Sequence, residues 1–497
     1  MTNPAYIGNT IAAIDLGSNS FHLAIARVLE NRVQMLHRVK QRVQLAEGMD
    51  ERGNLAEAAM ERGLDCLRQF AEHLAASDIN DVRIVATYAL RSAPNRRRFL
   101  QQARKILDAD IEVIAGTEEA RLIFQGVAQA MELDKPSLLI DIGGGSTEFI
   151  LGQGTKPQLM ASLNMGCVSY HDRFFADGKL SNKRFDKAIV AAQQQLEPLL
   201  DRYRKHGWQQ VIGCSGTIKA LLSLCHNPHQ PEQLTRTGLE QLKQTLVEHG
   251  HQALPLLKDL SDSRLKVLPA GLSVLLACFY SLEIDAMSFS NAALREGVIS
   301  EMADTADHNS VRAQSVAAME RLHHVDTAHG HQVAATAMHF FRSSPYHNQA
   351  LEQLLGWAGQ LLEVGLSMNF RGMHRHSGYI LSHSNLPGFT VEQQQLLGWL
   401  GRFQRKRLDG CKTADLQLCD EDSQRHLLVS LRLAALWHIG RRHQMAMPKL
   451  SWHRNKLVLL LPNDCPNKPL LDADLTQEQE WLSALDWRLE LRASSDL

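Results

Sequence analysis

The chain has 497 residues, of which 44% are hydrophobic and 22% charged, and a formal net charge of −1. That length exceeds what one core carries and predicts three or four domains, and the composition excludes disordered and fibrous classes. A net charge near zero gives no global field toward nucleic acid or an anionic membrane, so an anionic ligand needs a local site.

Eight cysteines, at 66, 167, 214, 225, 278, 411, 419 and 465, show no Cys-x-x-Cys spacing. They read as reduced core thiols and fit a cytoplasmic location, with peripheral attachment to a membrane left open. Met1-Thr2-Asn3-Pro4-Ala5 does not begin a signal peptide. The longest uncharged stretch, Val267 to Leu282, contains Pro269 and Gly271 and is short for a membrane span.

Ile11-Ala12-Ala13-Ile14 reads as a short strand leading into Asp15-Leu16-Gly17-Ser18-Asn19-Ser20. Phe21 to Val28 and Val33 to Val39 read as two further strands, with a turn at Glu30-Asn31. Ala56 to Leu74 carries apolar residues at helical spacing: Met60, Leu64, Leu67, Phe70 and Leu74. Val82 to Thr87 is a buried strand ending at Tyr88-Ala89-Leu90-Arg91. A basic amphipathic helix over Asn95 to Leu107 and a strand over Ile111 to Ile114 follow. Gly116-Thr117-Glu118-Glu119-Ala120-Arg121 begins a helix, with Thr117 as expected N-cap and the two glutamates in the first turn.

Leu138-Leu139-Ile140 then leads into Asp141-Ile142-Gly143-Gly144-Gly145-Ser146-Thr147-Glu148. Three glycines let the backbone approach a ligand and turn its amides inward, which suits phosphate oxygens. Carboxylates beside phosphate imply a bridging cation such as magnesium. Alone, the stretch reads better as a plain glycine-rich hairpin, since a lone glycine motif is weak evidence. Its partner is Asp15 to Ser20: Asp-Leu-Gly-Ser-Asn-Ser against Asp-Ile-Gly-Gly-Gly-Ser, 126 residues apart. Both copies are followed by strand, turn and strand, the second turn falling at Gln153 to Pro157 and its third strand at Gln158 to Leu163. A shared strand order at that offset predicts two related α/β domains.

Phe185 to Tyr203 is helical, Gln210 to Lys219 is a strand entering a helix at Ser215-Gly216-Thr217, and Pro269 to Leu282 is a buried helix. Met287 to Ser290 is a short strand, and Ala293 begins a helix. From about residue 302 to 440 the pattern is helical and rich in His and Gln; Lys456 to Leu461 and Trp487 to Leu491 read as strands of a small α+β cap.

In this order, Asp15 to His22, Gly116 to Arg121, Asp141 to Glu148, Met165 to Ser169, Ser215 to Thr217, Leu294 to Gly297, His374 to Ser377 and Leu386 to Phe389 resemble the exopolyphosphatase / guanosine pentaphosphate phosphohydrolase family. The resemblance implies duplicated actin/Hsp70/sugar-kinase-like α/β domains, an all-helical HD-like domain and a small α+β domain, placed at 1–125, 126–301, 302–445 and 446–497. It implies phosphate loops at Gly17, Ser18, Asn19, Ser20 and at Gly143, Gly144, Gly145, Ser146, with Ser215, Gly216 and Thr217 adding donors. Glu119 is the implied general base, and Arg91 either matches a family arginine near the phosphates or is a surface arginine at a helix start. By charge alone, Glu118 beside Glu119 either raises its pKa by like-charge repulsion or one of the two is a solvated first-turn residue. Asp141 and Glu148 are implied to hold magnesium, and a homodimer is implied by the family; the residues leave potassium stimulation open.

The helical segment has Leu362 and Gln404 where relatives often carry histidine, which argues against a second metal site. His374, Arg375, His376, Arg402, Arg405, Lys406 and Arg407 read either as a solvated basic face or as a channel for a long polyanion. The leading expectation is release of orthophosphate from inorganic polyphosphate. Removal of the terminal phosphate of guanosine pentaphosphate comes second, and a kinase or actin-like polymer third. A non-catalytic sensor is disfavoured by the intact Glu119, Asp141 and Glu148.

Overall fold

The computed structural model describes residues 9–29, 32–50, 52–225, 233–250, 261–303, 305–408, 410–441, 446–462 and 468–493. The expected turn at Glu30-Asn31 and Cys465 lie outside them. The chain forms two compact units, Met1–His308 and Asn309–Leu497.

The first unit opens with β1 (Asn9–Leu16), β2 (Ser20–Leu29), β3 (Arg32–Arg42), α1 (Glu57–Ala75), β4 (Asp81–Ala86), α2 (Tyr88–Ser92), α3 (Arg96–Leu107), β5 (Ile111–Val113) and α4 (Gly116–Ala130). It continues with β6 (Ser137–Ile142), β7 (Thr147–Gln153), β8 (Lys156–Leu163), α5 (Cys167–Phe174), α6 (Asn182–His206), β9 (Gln210–Cys214), α7 (Ser215–Leu224), β10 (Gln233–Thr235), α8 (Arg236–His249), α9 (Asp262–Ser281), β11 (Ala286–Phe289) and α10 (Leu294–Ala303).

Two sheets result, in the orders β3-β2-β1-β4-β5 and β8-β7-β6-β9-β11-β10. In each, an antiparallel three-strand meander (β1-β2-β3, β6-β7-β8) continues into parallel strands (β4 and β5, β9 and β11). The repeated motif therefore marks a repeated sheet, with β10 added at one edge. The apolar runs lie where burial on both faces requires them: all six residues of β6 are buried.

The helix after each sheet covers the other. Helix α4 follows the first sheet and packs on β7 and β8, whereas α10 follows the second sheet and packs on β1 and β2. The two helices also meet, and glycine permits it. A Cβ on Gly297 would lie 1.8 Å from the Leu122 carbonyl oxygen, and one on Gly126 2.2 Å from that of Ala293. Thr117 does not cap α4; extended Ala115 precedes it and has no side chain to accept the free amides.

Among the described residues one segment, Arg264–Ser281, is long and apolar enough to cross a membrane; 78% of it is buried in the core of the first unit. The described cysteines are all free thiols.

In the second unit, α11 (Thr305–Leu322, whose first turn belongs to the first unit), α12 (Thr327–Arg342), α13 (Gln349–Gln360), α14 (Met373–His383), α15 (Val391–Phe403) and α16 (Glu421–Trp437) are followed by β12 (Lys449–His453), β13 (Lys456–Leu461), α17 (Lys468–Leu482) and β14 (Arg488–Ala493). The strands form one sheet, β12-β13-β14, with β14 at its edge.

Candidate active site

The two glycine loops face one another inside the first unit. A Cβ on Gly144 would fall 2.9 Å from the Cβ of Ser18 and 3.7 Å from the Asn19 amide nitrogen, and one on Gly145 2.0 Å from the Tyr88 ring. The second loop is braced from behind by the Gly143 amide donating to the Ser146 carbonyl (2.9 Å) and by the amides of Cys167 and Val168 donating to the carbonyls of Gly143 and Gly144 (2.9 and 2.8 Å). Segment 165–169 is thus the support of the loop. Ser215 opens α7 at φ 91°, a conformation that costs a non-glycine residue ~1–3 kcal/mol and that clusters at ligand clamps.

Around the loops opens a cleft of about 550 Å³, lined by Gly17 to Ser20, Ile142 to Ser146, Ser215 to Thr217, Asp15, Asp141 and Glu119. Glu119 is buried and its Oε2 accepts from Arg91 Nη1 at 3.1 Å. Burial raises its pKa, opposed by the Arg91 charge and hydrogen bond. The expected repulsion from Glu118 is not the cause. Glu118 is 2% exposed, does not line the cleft, and pairs with Arg121 (2.7 Å), because neighbouring side chains on a helix point roughly 100° apart. Arg91 also lies off the cleft wall, with Nη1 shared between Glu119 and the Ile114 carbonyl (2.9 Å).

Asp141 is pushed up to about 7 by burial and by Glu119, against a hydrogen bond from Cys214. Glu148, its cross-strand partner, lies beside it but off the cleft wall, and accepts from Ser162 Oγ at 2.8 Å. Burial, Glu119 and Asp141 hold the Glu148 carboxyl well above its ordinary range. Asp15, first residue of the earlier loop, joins this group although sequence reasoning gave it no role. Its pKa is pushed up to about 7 by burial and Glu119, and its buried Oδ1 has no hydrogen-bond partner among the described residues. The signal was available: Asp15 stands in the first copy where Asp141 stands in the second.

Sequence reasoning also missed the cations. Arg38, Lys40, Lys219, Arg264 and Arg295 line the same cleft, with His22 beside Arg295. Burial and then the charges of Arg264, Arg295, Arg42 and Lys219 lower the Lys40 pKa. The cleft is thus lined by carboxylates and cations together.

Carboxylates so placed stay ionised together only beside a cation. Among the described residues no group of three or more His, Cys, Asp or Glu can hold a metal ion, so a caged ion is not provided for. Magnesium is ordinarily held through one or two carboxylates plus substrate phosphates and water, and the orphaned Asp15 oxygen and the raised Asp141 fit that mode.

The model of the Ppx/GppA phosphatase family matches residues 24–306, and that of its domain III residues 311–479. The chain belongs to the Ppx/GppA phosphatase family. Among solved structures of the family, an exopolyphosphatase from Cytophaga hutchinsonii is 29% identical, with 60% of this chain covering 98% of that one at a TM-score of 0.54. A Ppx/GppA enzyme from Aquifex aeolicus is 25% identical, with 59% of this chain covering 99% of that one at a TM-score of 0.51. The actin-like pair of α/β lobes followed by a helical region is thus the architecture of Ppx/GppA phosphatases, and the chain is a hydrolase of that family.

The remaining candidates lie in the second unit. His374 is buried and its pKa is lowered to about 4 by burial and by the charges of Arg402, Arg405, Arg375 and Lys406. Arg375, Lys406 and Arg407 are exposed, and His376, Arg402 and Arg405 half-buried. Leu362 and Gln404 line one cavity of about 410 Å³ with His329 and Glu363. Gln404 Nε2 donates to the Leu362 carbonyl at 2.7 Å, using an amide where a metal site would need a lone pair.

Proposed function

We propose that the chain is an exopolyphosphatase that hydrolyses the terminal phosphoanhydride of inorganic polyphosphate and releases orthophosphate. The observation that carries this reading is the pairing of a buried carboxylate centre with a wall of five cations, Arg38, Lys40, Lys219, Arg264 and Arg295, in one cleft. A terminal phosphate alone does not need so many positive groups, whereas a chain of phosphates does.

In this reading the amides and hydroxyls of Gly17 to Ser20, Gly143 to Ser146 and Ser215 to Thr217 hold the terminal phosphoryl group. Glu119 accepts the proton of the attacking water as its oxygen bonds to the terminal phosphorus. The anhydride bond breaks, and the shortened chain leaves while held by Lys40, Arg264 and Lys219. Asp141 and the neighbouring Glu148 are the proposed holders of magnesium, which when bound would neutralise charge on the phosphate oxygens. Guanosine pentaphosphate offers the same terminal group and is the second substrate of this reading.

The test is orthophosphate release with magnesium from long polyphosphate, tripolyphosphate, guanosine pentaphosphate and ATP. Release from long polyphosphate, lost ~10²–10⁴-fold in Glu119→Gln, is expected; silence on all four substrates, or a fully active Glu119→Gln, overturns the reading. The basic residues of the second unit are proposed, on their own, as a binding face for long polyphosphate. Neutralising Arg405, Lys406 and Arg407 together is expected to lower turnover of long chains and spare tripolyphosphate.

A further inference from the structure

The first turn of α4 carries Glu119, yet it has no side-chain cap at Ala115. An uncapped helix end leaves its first amides without partners and tends to fray. What holds this turn is a buried chain of charges. Arg121 Nε and Nη2 donate to Glu118 Oε2 and Oε1 at 2.8 and 2.7 Å, and Nη2 also donates to Glu301 Oε1 at 2.6 Å. Glu301, on α10, accepts in turn from Arg83 Nη1 on β4, and Arg83 Nη2 donates to Glu112 on β5 at 3.0 Å. Glu118, Arg121 and Glu301 are all buried; burial works against the Arg121 charge, and the charges and hydrogen bonds of Glu118 and Glu301 outweigh it and raise its pKa. The chain runs from the first sheet through α10 to the residue next to Glu119, along the line where Gly126 and Gly297 bring the two helices together.

We propose that Arg121 and Glu301 are positioning residues for the hydrolysis: through Glu118 they fix the first turn of α4, and with it the place of Glu119 on the cleft wall. This rests on Glu119 being the base. Neither residue lines the cleft. A carboxylate displaced slightly from the water it must deprotonate loses rate without losing substrate binding, because the phosphate loops and wall cations are untouched.

The experiment compares kcat and KM for tripolyphosphate, which does not need the basic residues near Glu478, in the full chain and in Glu301→Gln, Arg121→Lys, Glu119→Gln and Glu478→Gln, each assayed well below its own melting midpoint. Glu301→Gln keeps the shape and removes the charge. Arg121→Lys keeps the charge and removes the fork that binds two carboxylates at once. Glu478→Gln breaks a comparably buried pair, with Arg432, in the second unit and controls for lost stability alone. The expected result is a kcat at least tenfold lower in Glu301→Gln and Arg121→Lys, with KM within about threefold of the unmodified chain, and an unchanged kcat in Glu478→Gln. Should Glu301→Gln fail to fold, Arg121→Lys carries the comparison. Normal kcat in the two network variants beside an inactive Glu119→Gln overturns the positioning role alone. An active Glu119→Gln overturns the assignment of the base, and the positioning role with it.

Discussion

Arg91 Nη1 lies 3.1 Å from Glu119 Oε2, at the edge of a cleft where the carboxyls of Asp15, Asp141 and Glu148 crowd around the same glutamate. Burial raises the Glu119 pKa and Arg91 opposes it, so Arg91 keeps the carboxylate able to accept a proton. Removing that cation by Arg91→Met raises the pKa further. The acid limb of kcat/KM then moves to higher pH. The variant is expected to lose at least ~10-fold at pH 7 and to recover part of it near pH 9. A pH–rate profile checks this, and an unmoved acid limb would detach Arg91 from the base.

Lys40 stands among Arg264, Arg295, Arg42 and Lys219, all of which oppose its charge. An anionic chain relieves that repulsion. Lys40→Ala is expected to raise KM for polyphosphate ~10–100-fold, the equivalent of one charged hydrogen bond of ~1.5–3 kcal/mol, while kcat changes little. Steady-state kinetics separate the two. A lowered kcat at constant KM would place Lys40 on the reacting phosphate instead.

Gly297→Ala forces a methyl group into the Leu122 carbonyl across the α4–α10 contact, 1.8 Å away. Overpacking against backbone costs ~1–3 kcal/mol, and both helices are tied to the sheets they cover. A lower denaturant midpoint is expected, read by circular dichroism; Gly154→Ala, where nothing lies within 4 Å but φ is +60°, gives the scale of a purely conformational penalty.

His426 is buried against Trp452 and Trp487, its Nδ1 is 2.8 Å from Ser344 Oγ, and burial lowers its pKa to about 4. The folded state thus favours neutral imidazole. Its contribution is complete above the unfolded value near 6.5 and is lost as pH falls from there toward 4, on the order of 1–3 kcal/mol. Melting temperatures at pH 7.5 and 5 are expected to differ less in His426→Asn than in the unmodified chain.

Much of this was legible in sequence because the strands and loops are local. The repeat of Asp15 to Ser20 at Asp141 to Ser146 foretold the paired sheets, and Gly116 to Arg121 foretold a helix start with acidic residues. Three things were not legible. Which of two adjacent glutamates faces the cleft depends on helix phase, and Glu118 turned toward Arg121, which in turn reaches Glu301, 180 residues further along the chain. Lys40, Lys219, Arg264 and Arg295 lie on β3, α7, α9 and α10, so only the fold gathers them. The capping expectation at Thr117 failed because the cap position fell two residues earlier, on an alanine.

The exchange of covers between the lobes bears on how such a protein is divided or inherited. A fragment ending before α10 would expose the β1 and β2 surface that α10 packs on, and one beginning after α4 would bare β7 and β8. Neither repeat is an autonomous module. Whatever ancestral half was copied, the copies became hostages to each other's helices, and mixing separately expressed halves should restore structure where each half alone stays unfolded.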